Sequence, residues 1–345
     1  MNKNIKADKI LIIRTDRIGD VLLSTPAIKA VRDAYPQSHI AMMVRPYAED
    51  IVDENPNLDE IIIYDKYGRH GSFLSSLKFA FDLRKKKFDL AIILHPTNRV
   101  HLITWLAGIR RRVGYKRKLG FLLSTAVTDE KHLGLKHEVD YGLELLREIG
   151  IDSKERKPFM KVKEDDLKWV KALFLEKNID RNRPLFCLHP GASCISKKWP
   201  AENFAKLNDC LQEELKAQVI VFVGKEDKQT ANDVYRLSQN KPVCILKDVS
   251  LGKIAALLAA SDLLISNDSG PVHISVAVGT PVVAIFGRNQ PGLSPRRWGP
   301  LGENDIVLHK DVGCKICLAH NCQRDFECLK AIKTEDVLDV VRKII

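Results

Sequence analysis

Short apolar runs alternate along the whole chain with longer segments whose apolar residues recur at helical spacing, and this alternation constrains the fold more than any other feature. In the first half the short runs are KILII (9–13), HIAMMV (39–44), EIIIY (60–64), DLAIIL (89–94) and RRVGY (111–115). Segments such as LLSTPAIKAVRDAY and SFLSSLKFAFDLRKK lie between them. A strand that is apolar on both faces is covered on both faces, and strands joined by helical segments pair in parallel. The pattern predicts α/β architecture, with helices on each side of a parallel sheet.

The polar stretch 152–163 and the run 178–184 flank an apparent helix, DLKWVKALFLEK, and separate this half from a second series. There PLFCLHP, QVIVFVG, PVCIL, DLLIS and PVVAIFG alternate with helical patterns, so two doubly wound, Rossmann-like domains are expected. Their expected limits are 1–163 and 164–333, with a terminal helix over 334–345. Ligands of such sheets bind beyond the carboxyl ends of the strands, so two facing domains would bring their strand-end loops to one cleft.

Four loops hold residues suited to chemistry. TDRIGD, after the first strand, lacks the G-x-G-x-x-G of dinucleotide-binding folds, and its Asp20 either caps the next helix or faces the ligand. HPGASCISKKWP (189–200) is not a Walker A loop, but Gly191 and Ser193 suit a close approach of backbone N–H groups to phosphate, with Lys197 or Lys198 supplying charge. In ISNDSGPVHISVAVGTPVVAIFG (265–287), Asp268, Ser269 and Gly270 precede a helix with Pro271 in its first turn, a place for an anion on free N–H groups. His273 is expected at the same end. In GKED, Glu226 either accepts hydrogen bonds from a ribose or is a solvated turn residue.

Taken together and in this order, RTDRIGDVLLSTPAIKAVR, HPGAS..KKWP and NDSGPVHISVAVGTPVVAIFG resemble glycosyltransferase family 9, the ADP-heptose:lipopolysaccharide heptosyltransferases, over nearly the whole chain. The resemblance implies a GT-B architecture and inverting, metal-independent transfer of heptose from ADP-L-glycero-β-D-manno-heptose to the inner core of lipopolysaccharide, on a Kdo or heptosyl-Kdo lipid A acceptor. It implies that Asp20 is the catalytic base and that Lys197 neutralises charge on departing ADP. Ser193 and the backbone of Ser269, Gly270 and Pro271 would hold the diphosphate, Glu226 the ribose and Asp268 the sugar side of the donor. Many relatives carry Thr where this chain has Ala192, which removes one hydroxyl from the diphosphate loop. The same family using another nucleotide sugar or a non-lipopolysaccharide acceptor is the alternative.

Lysine and arginine number 55 against 44 acids, a net charge of +11, so an anionic partner is expected. Aromatic residues are only 7% and no nucleic-acid motif is present, which argues against nucleic acid. Six basic residues among the nine of RRRVGYKRK (110–118) suit phosphorylated lipid A core and an anionic membrane surface. The N-terminal apolar run is too short for a signal peptide, and no run approaches the roughly 20 residues of a transmembrane helix. A cytoplasmic protein, peripheral to the inner membrane, is the expectation.

Four of the eight cysteines, Cys314, Cys317, Cys322 and Cys328, form C-x2-C-x4-C-x5-C. In a reducing compartment this spacing suits either structural zinc or iron, or reduced thiols. The terminal segment EDVLDVVRKII is expected to pack back on the first domain, as is typical of GT-B proteins.

Overall fold

The computed structural model describes residues 6–345; the first five, where the stretch weighed for a leader begins, lie outside the described residues. Between Lys161 and Val162 the chain divides into two compact units.

The first unit holds β1 (Lys9–Ile13), β2 (His39–Val44), β3 (Glu60–Ile63), β4 (Leu90–Ile93), β5 (Arg111–Lys116) and β6 (Thr125–Thr128). They pair in parallel in the order β3-β2-β1-β4-β5-β6. In the second unit β7 (Leu185–His189), β8 (Gln218–Val223), β9 (Cys244–Lys247), β10 (Leu263–Asn267), β11 (Val282–Ile285) and β12 (Ile306–Leu308) pair in the order β12-β11-β10-β7-β8-β9. Each sheet winds outward from its first strand, then returns to that strand's other side. Its direction therefore reverses between β1 and β4 in one unit and between β7 and β10 in the other, where such sheets take ligands.

The central strands are buried on both faces: Ile10, Leu11, Ile12 and Ile13 have no exposed surface, and neither do Leu185, Phe186, Cys187 and Leu188. That is why they read as unbroken apolar runs. The edge strands β6 (TAVT) and β12 (IVL) did not stand out in the sequence. They are three or four residues long and only partly covered.

The helices that position the loops are α1 (Ile18–Leu22), α2 (Asn98–Leu106), α3 (Glu138–Arg147), α4 (Ala201–Glu214), α5 (Gly270–Val278) and α6 (Thr334–Ile344). Thr97 caps α2 by accepting a hydrogen bond from the Val100 N–H at 3.1 Å. α5 carries Pro271 in its first turn, where the missing N–H costs nothing, and ends on Gly279 in the left-handed conformation. The terminal helix α6 departs from expectation. Its apolar face, Val337, Leu338 and Val341, is buried in the core of the second unit with Phe204, Leu207 and Leu211 of α4. Burying each such side chain stabilises by about 1.5–3 kcal/mol, and that fixes the helix to its own unit.

Candidate active site

In the first unit the site is built on the loop between β1 and α1. Arg14 follows β1 directly and is only 4% exposed, so its charge must be met by protein groups. Its Nε donates to Asp16 at 2.8 Å, and its Nη1 to Glu138 at 3.1 Å and to the Leu94 carbonyl at 3.3 Å. Its Nη2 donates to Asp20. Lys131 Nζ adds a second cation, 2.7 Å from Glu138. Asp20 is the third residue of α1 and makes no cap bond, because its carboxylate is turned to Arg14. Two cations thus face three carboxylates. Burial first, and repulsion from Asp16 next, push the Asp20 carboxyl up to about 6 against the pull of Arg14. On β4's side of the switch point, His95 Nδ1 lies 3.2 Å from the Thr15 hydroxyl, and burial with the nearby Arg14 holds its imidazole down at about 3, so it is neutral.

In the second unit the loops after β7, β10 and β11 form a set of opposite charge. Asp268 is met on one oxygen by Lys197 Nζ at 3.1 Å and on the other by Arg288 Nη2 at 2.5 Å. All three are buried, and Arg288 Nε finds no hydrogen-bond partner among the described residues. Burial lowers the Lys197 ammonium's pKa; Asp268 opposes this and Arg288 adds to it. Two cations around one carboxylate, with an N–H to spare, suit an anionic ligand.

The lysine loop is pinned from behind. Trp199 is buried, its backbone N–H donates to Asn267 Oδ1 at 3.0 Å and its indole N–H to the Ile332 carbonyl at 2.8 Å. Asn267 in turn donates to the Pro190 carbonyl at 2.8 Å, tying the end of β10 to that of β7. At Gly191 a Cβ would stand 2.8 Å from the Asp227 carboxylate and 3.1 Å from His189, so a larger residue would have to displace those side chains. His189, kept neutral at about 4 by burial, lies 3.1 Å from the Ser269 hydroxyl at the start of α5.

Of the residues singled out in the sequence, Lys197, Asp268, Ser269, Gly270 and Pro271 meet at the switch point of the second sheet. Ser193 is exposed on the same loop as Lys197, and Glu226 is exposed in the turn after β8, where Lys198 pairs with the adjacent Asp227 at 2.6 Å. His273 is buried within α5. Asp20 stands at the switch point of the first sheet. Sequence reasoning missed Arg14, Glu138, His95 and Arg288. Only Arg14 carried a signal, as a charge directly continuing a fully apolar strand.

The structure also places the basic run and the cysteine cluster. The basic run 110–118 is not one patch: β5 occupies Arg111–Lys116 and separates Arg110, Arg111 and Arg112 from Lys116, Arg117 and Lys118. At about 3.3 Å per residue the two groups stand at opposite ends of the strand, and only the second lies at the ligand end. The cysteines line a cavity of about 610 Å³, but among the described residues no three His, Cys, Asp or Glu side chains gather to hold a metal ion. Three of the four thiols also have a hydrogen-bond partner outside the group. Cys328 donates to the Gly287 carbonyl at 2.9 Å, Cys317 accepts from the Asn289 N–H at 3.4 Å, and Cys314 from Arg324 at 3.7 Å.

Residues 76–326 match the model of glycosyltransferase family 9 (heptosyltransferase). A lipooligosaccharide heptosyltransferase 2 of Campylobacter jejuni is 27% identical over 97% of this chain and 99% of its own length. Among solved structures, a family 9 glycosyl transferase from Veillonella parvula superposes with a TM-score of 0.88 at 26% identity, covering 98% of this chain and 97% of that one. An ADP-heptose lps heptosyltransferase II of Escherichia coli does so at 0.78 and 23% identity, covering 97% and 98%, and shares the fold.

Proposed function

This chain belongs to glycosyltransferase family 9, with a GT-B fold, and we propose from that premise that it transfers heptose from ADP-L-glycero-β-D-manno-heptose to the inner core of lipopolysaccharide. The observation that carries the reading is the half-buried Asp20 carboxylate, held by Arg14 yet pushed up to about 6 by desolvation and by Asp16. A carboxylate with that affinity for a proton is ionised at neutral pH and still basic enough to take the proton of an attacking hydroxyl.

In this mechanism the acceptor O–H proton passes to Asp20 while the oxygen forms its bond to the anomeric carbon. The bond from that carbon to the diphosphate breaks, and ADP leaves with the electron pair. A single displacement inverts the anomeric configuration. Lys197 and Arg288 face the charge that grows on ADP, and the N–H groups of Ser269 and Gly270 at the start of α5 add to it. Pro271 has no N–H and serves by shaping that turn. Ser193 contacts the diphosphate, Glu226 the ribose, Asp268 the donor sugar side, and His273 supports the first turn of α5. With these cations in place the reaction runs without a divalent metal, so activity is retained in EDTA.

The acceptor is Kdo- or heptosyl-Kdo-lipid A, met at the cytoplasmic side of the inner membrane. Peripheral contact with that surface is part of this reading, and no helix among the described residues is long and apolar enough to cross a membrane. The test is ADP release with ADP-L-glycero-β-D-manno-heptose and deacylated Kdo2-lipid A. Acceptor-dependent release by wild type, lost in Asp20→Ala, supports the reading. No release from protein that still binds ADP refutes this substrate pair.

A further inference from the structure

The segment that carries the four cysteines rests on both cationic loops of the second unit. Cys328 donates its S–H to the Gly287 carbonyl at 2.9 Å, and Cys317 accepts from the Asn289 N–H at 3.4 Å, so two thiols hold the residues on either side of Arg288. His320 Nδ1 lies 3.2 Å from the Ser196 hydroxyl, next to Lys197. Gly287 closes the arrangement from behind: a Cβ there would stand 2.6 Å from Leu329 and 2.9 Å from the Ser196 carbonyl oxygen. The cysteine segment, the Arg288 turn and the lysine loop are therefore packed without slack, and a displacement of one is felt by the other two.

The segment does not hold this shape by its own preferences. Ala319, Asp325 and Phe326 have φ of 49°, 45° and 54°, in the left-handed region that residues with a side chain seldom adopt. Contacts keep it there, the two thiol hydrogen bonds among them. The thiols are also open to a small reagent and close to one another. All four line the cavity of about 610 Å³, together with Ser196 and Arg288, and none of the four cysteines is fully buried. Burial raises the pKa of the Cys328 thiol, against the pull of the Leu329 N–H, and Cys317, Cys322 and Cys314 add to the rise as neighbours.

We propose that Cys317 and Cys328 form a thiol-modification site coupled to nucleotide binding, which a low-molecular-weight disulfide converts into a Cys317–Cys328 disulfide. The Cys317 thiolate attacks one sulfur of the reagent and displaces one reduced thiol; Cys328 attacks the mixed disulfide so formed and displaces the second. Two electrons pass from the cysteines to the reagent, and the two cysteine protons end on the released thiols. The Gly287 carbonyl then loses its donor and the Asn289 N–H its acceptor. The turn between them moves with the segment and draws Arg288 from Asp268, which weakens the anion site. Reduction restores it. The inference rests on reading that site as the one that holds ADP.

The test is incubation of the full chain with oxidised glutathione, followed by peptide mass mapping of the cysteines and calorimetric ADP binding before oxidation, after it, and after dithiothreitol. The expected result is a Cys317–Cys328 link, ADP binding at least about tenfold weaker in the oxidised protein, and recovery on reduction. Cys317→Ser and Cys328→Ser cannot form the link, so in each the oxidised and reduced proteins are expected to bind ADP alike, a comparison that cancels any change in basal affinity. Recovery of the wild type on reduction needs no variant and serves where one fails to fold. Reduced wild type that binds ADP but forms no such link, or forms it with affinity unchanged, overturns the proposal, and so does sensitivity retained in both variants. Reduced wild type that binds no ADP refutes the nucleotide reading itself, and the coupling with it.

Discussion

The two units share one winding order and each places an aspartate at its switch point, Asp20 after the first strand of its sheet and Asp268 after the strand on the other side of the reversal, yet they give the two carboxylates opposite surroundings. In the first, Asp20 shares Arg14 with Asp16 and Glu138, so negative charge is in excess and its affinity for a proton rises. In the second, Asp268 lies between Lys197 and Arg288, so positive charge is in excess. The strand ends supply only the location; the residues brought in around each carboxylate decide whether the place handles protons or anions.

The contrast breaks first at Asp20. Asp20→Asn is expected to lower kcat/KM for the acceptor by about 10²–10⁴-fold, the usual worth of a positioned general base. The same substitution should not destabilise the protein at pH 8. The folded-state pKa of about 6 stands above the ordinary carboxylate value of 3.8, so the stability from this group is complete below 3.8 and is lost as pH rises through about 6. A wild-type melting temperature well above that of the variant at pH 8 would contradict this.

In the second unit the aspartate's setting depends on packing behind it. Trp199→Ala should cost about 3–5 kcal/mol of stability, measured by denaturant unfolding, because it empties a buried site and leaves the Ile332 carbonyl without its donor. Lys197→Ala should slow transfer by about 10²–10³-fold while shifting the ADP dissociation constant less, if its charge acts mainly on the departing diphosphate. Equal losses in both would assign it to ground-state binding.

The smallest effect sharpens the contrast most. With Asp20 as base, kcat/KM rises with pH through about 6 as the carboxyl ionises. Glu138→Gln removes a negative charge that raises this pKa and frees Arg14 and Lys131 to lower it, so the acid limb moves to lower pH. A limb unmoved in the variant would show that Glu138 does not act on the base.

Ten of the twelve strands among the described residues were legible from their apolar residues, most plainly the central ones, where burial on both faces leaves an unbroken apolar run. The edge strands β6 and β12 were not, whereas the equally short edge strands β3 and β9 were. Asp20, Lys197 and Asp268 were legible because each follows or nears a strand end within a recognisable motif. Their settings were not: Glu138 lies 124 residues from Arg14 in sequence, and nothing local connects them. The same limit governs the basic run 110–118, where proximity in sequence suggested one patch and a strand through its middle makes two. The cysteine spacing was compatible with a metal, but spacing does not fix where the thiols point, and Cys317 and Cys328 bond to backbone groups.

The division of labour between the units is tested most directly by measuring acceptor-dependent ADP release and ADP affinity together in wild type and Asp20→Asn. Release should fall by at least about 10²-fold while the ADP dissociation constant stays within about twofold of wild type. Release retained in the variant, or ADP affinity lost in step with it, would contradict the claim that the first unit supplies the base and the second holds the nucleotide.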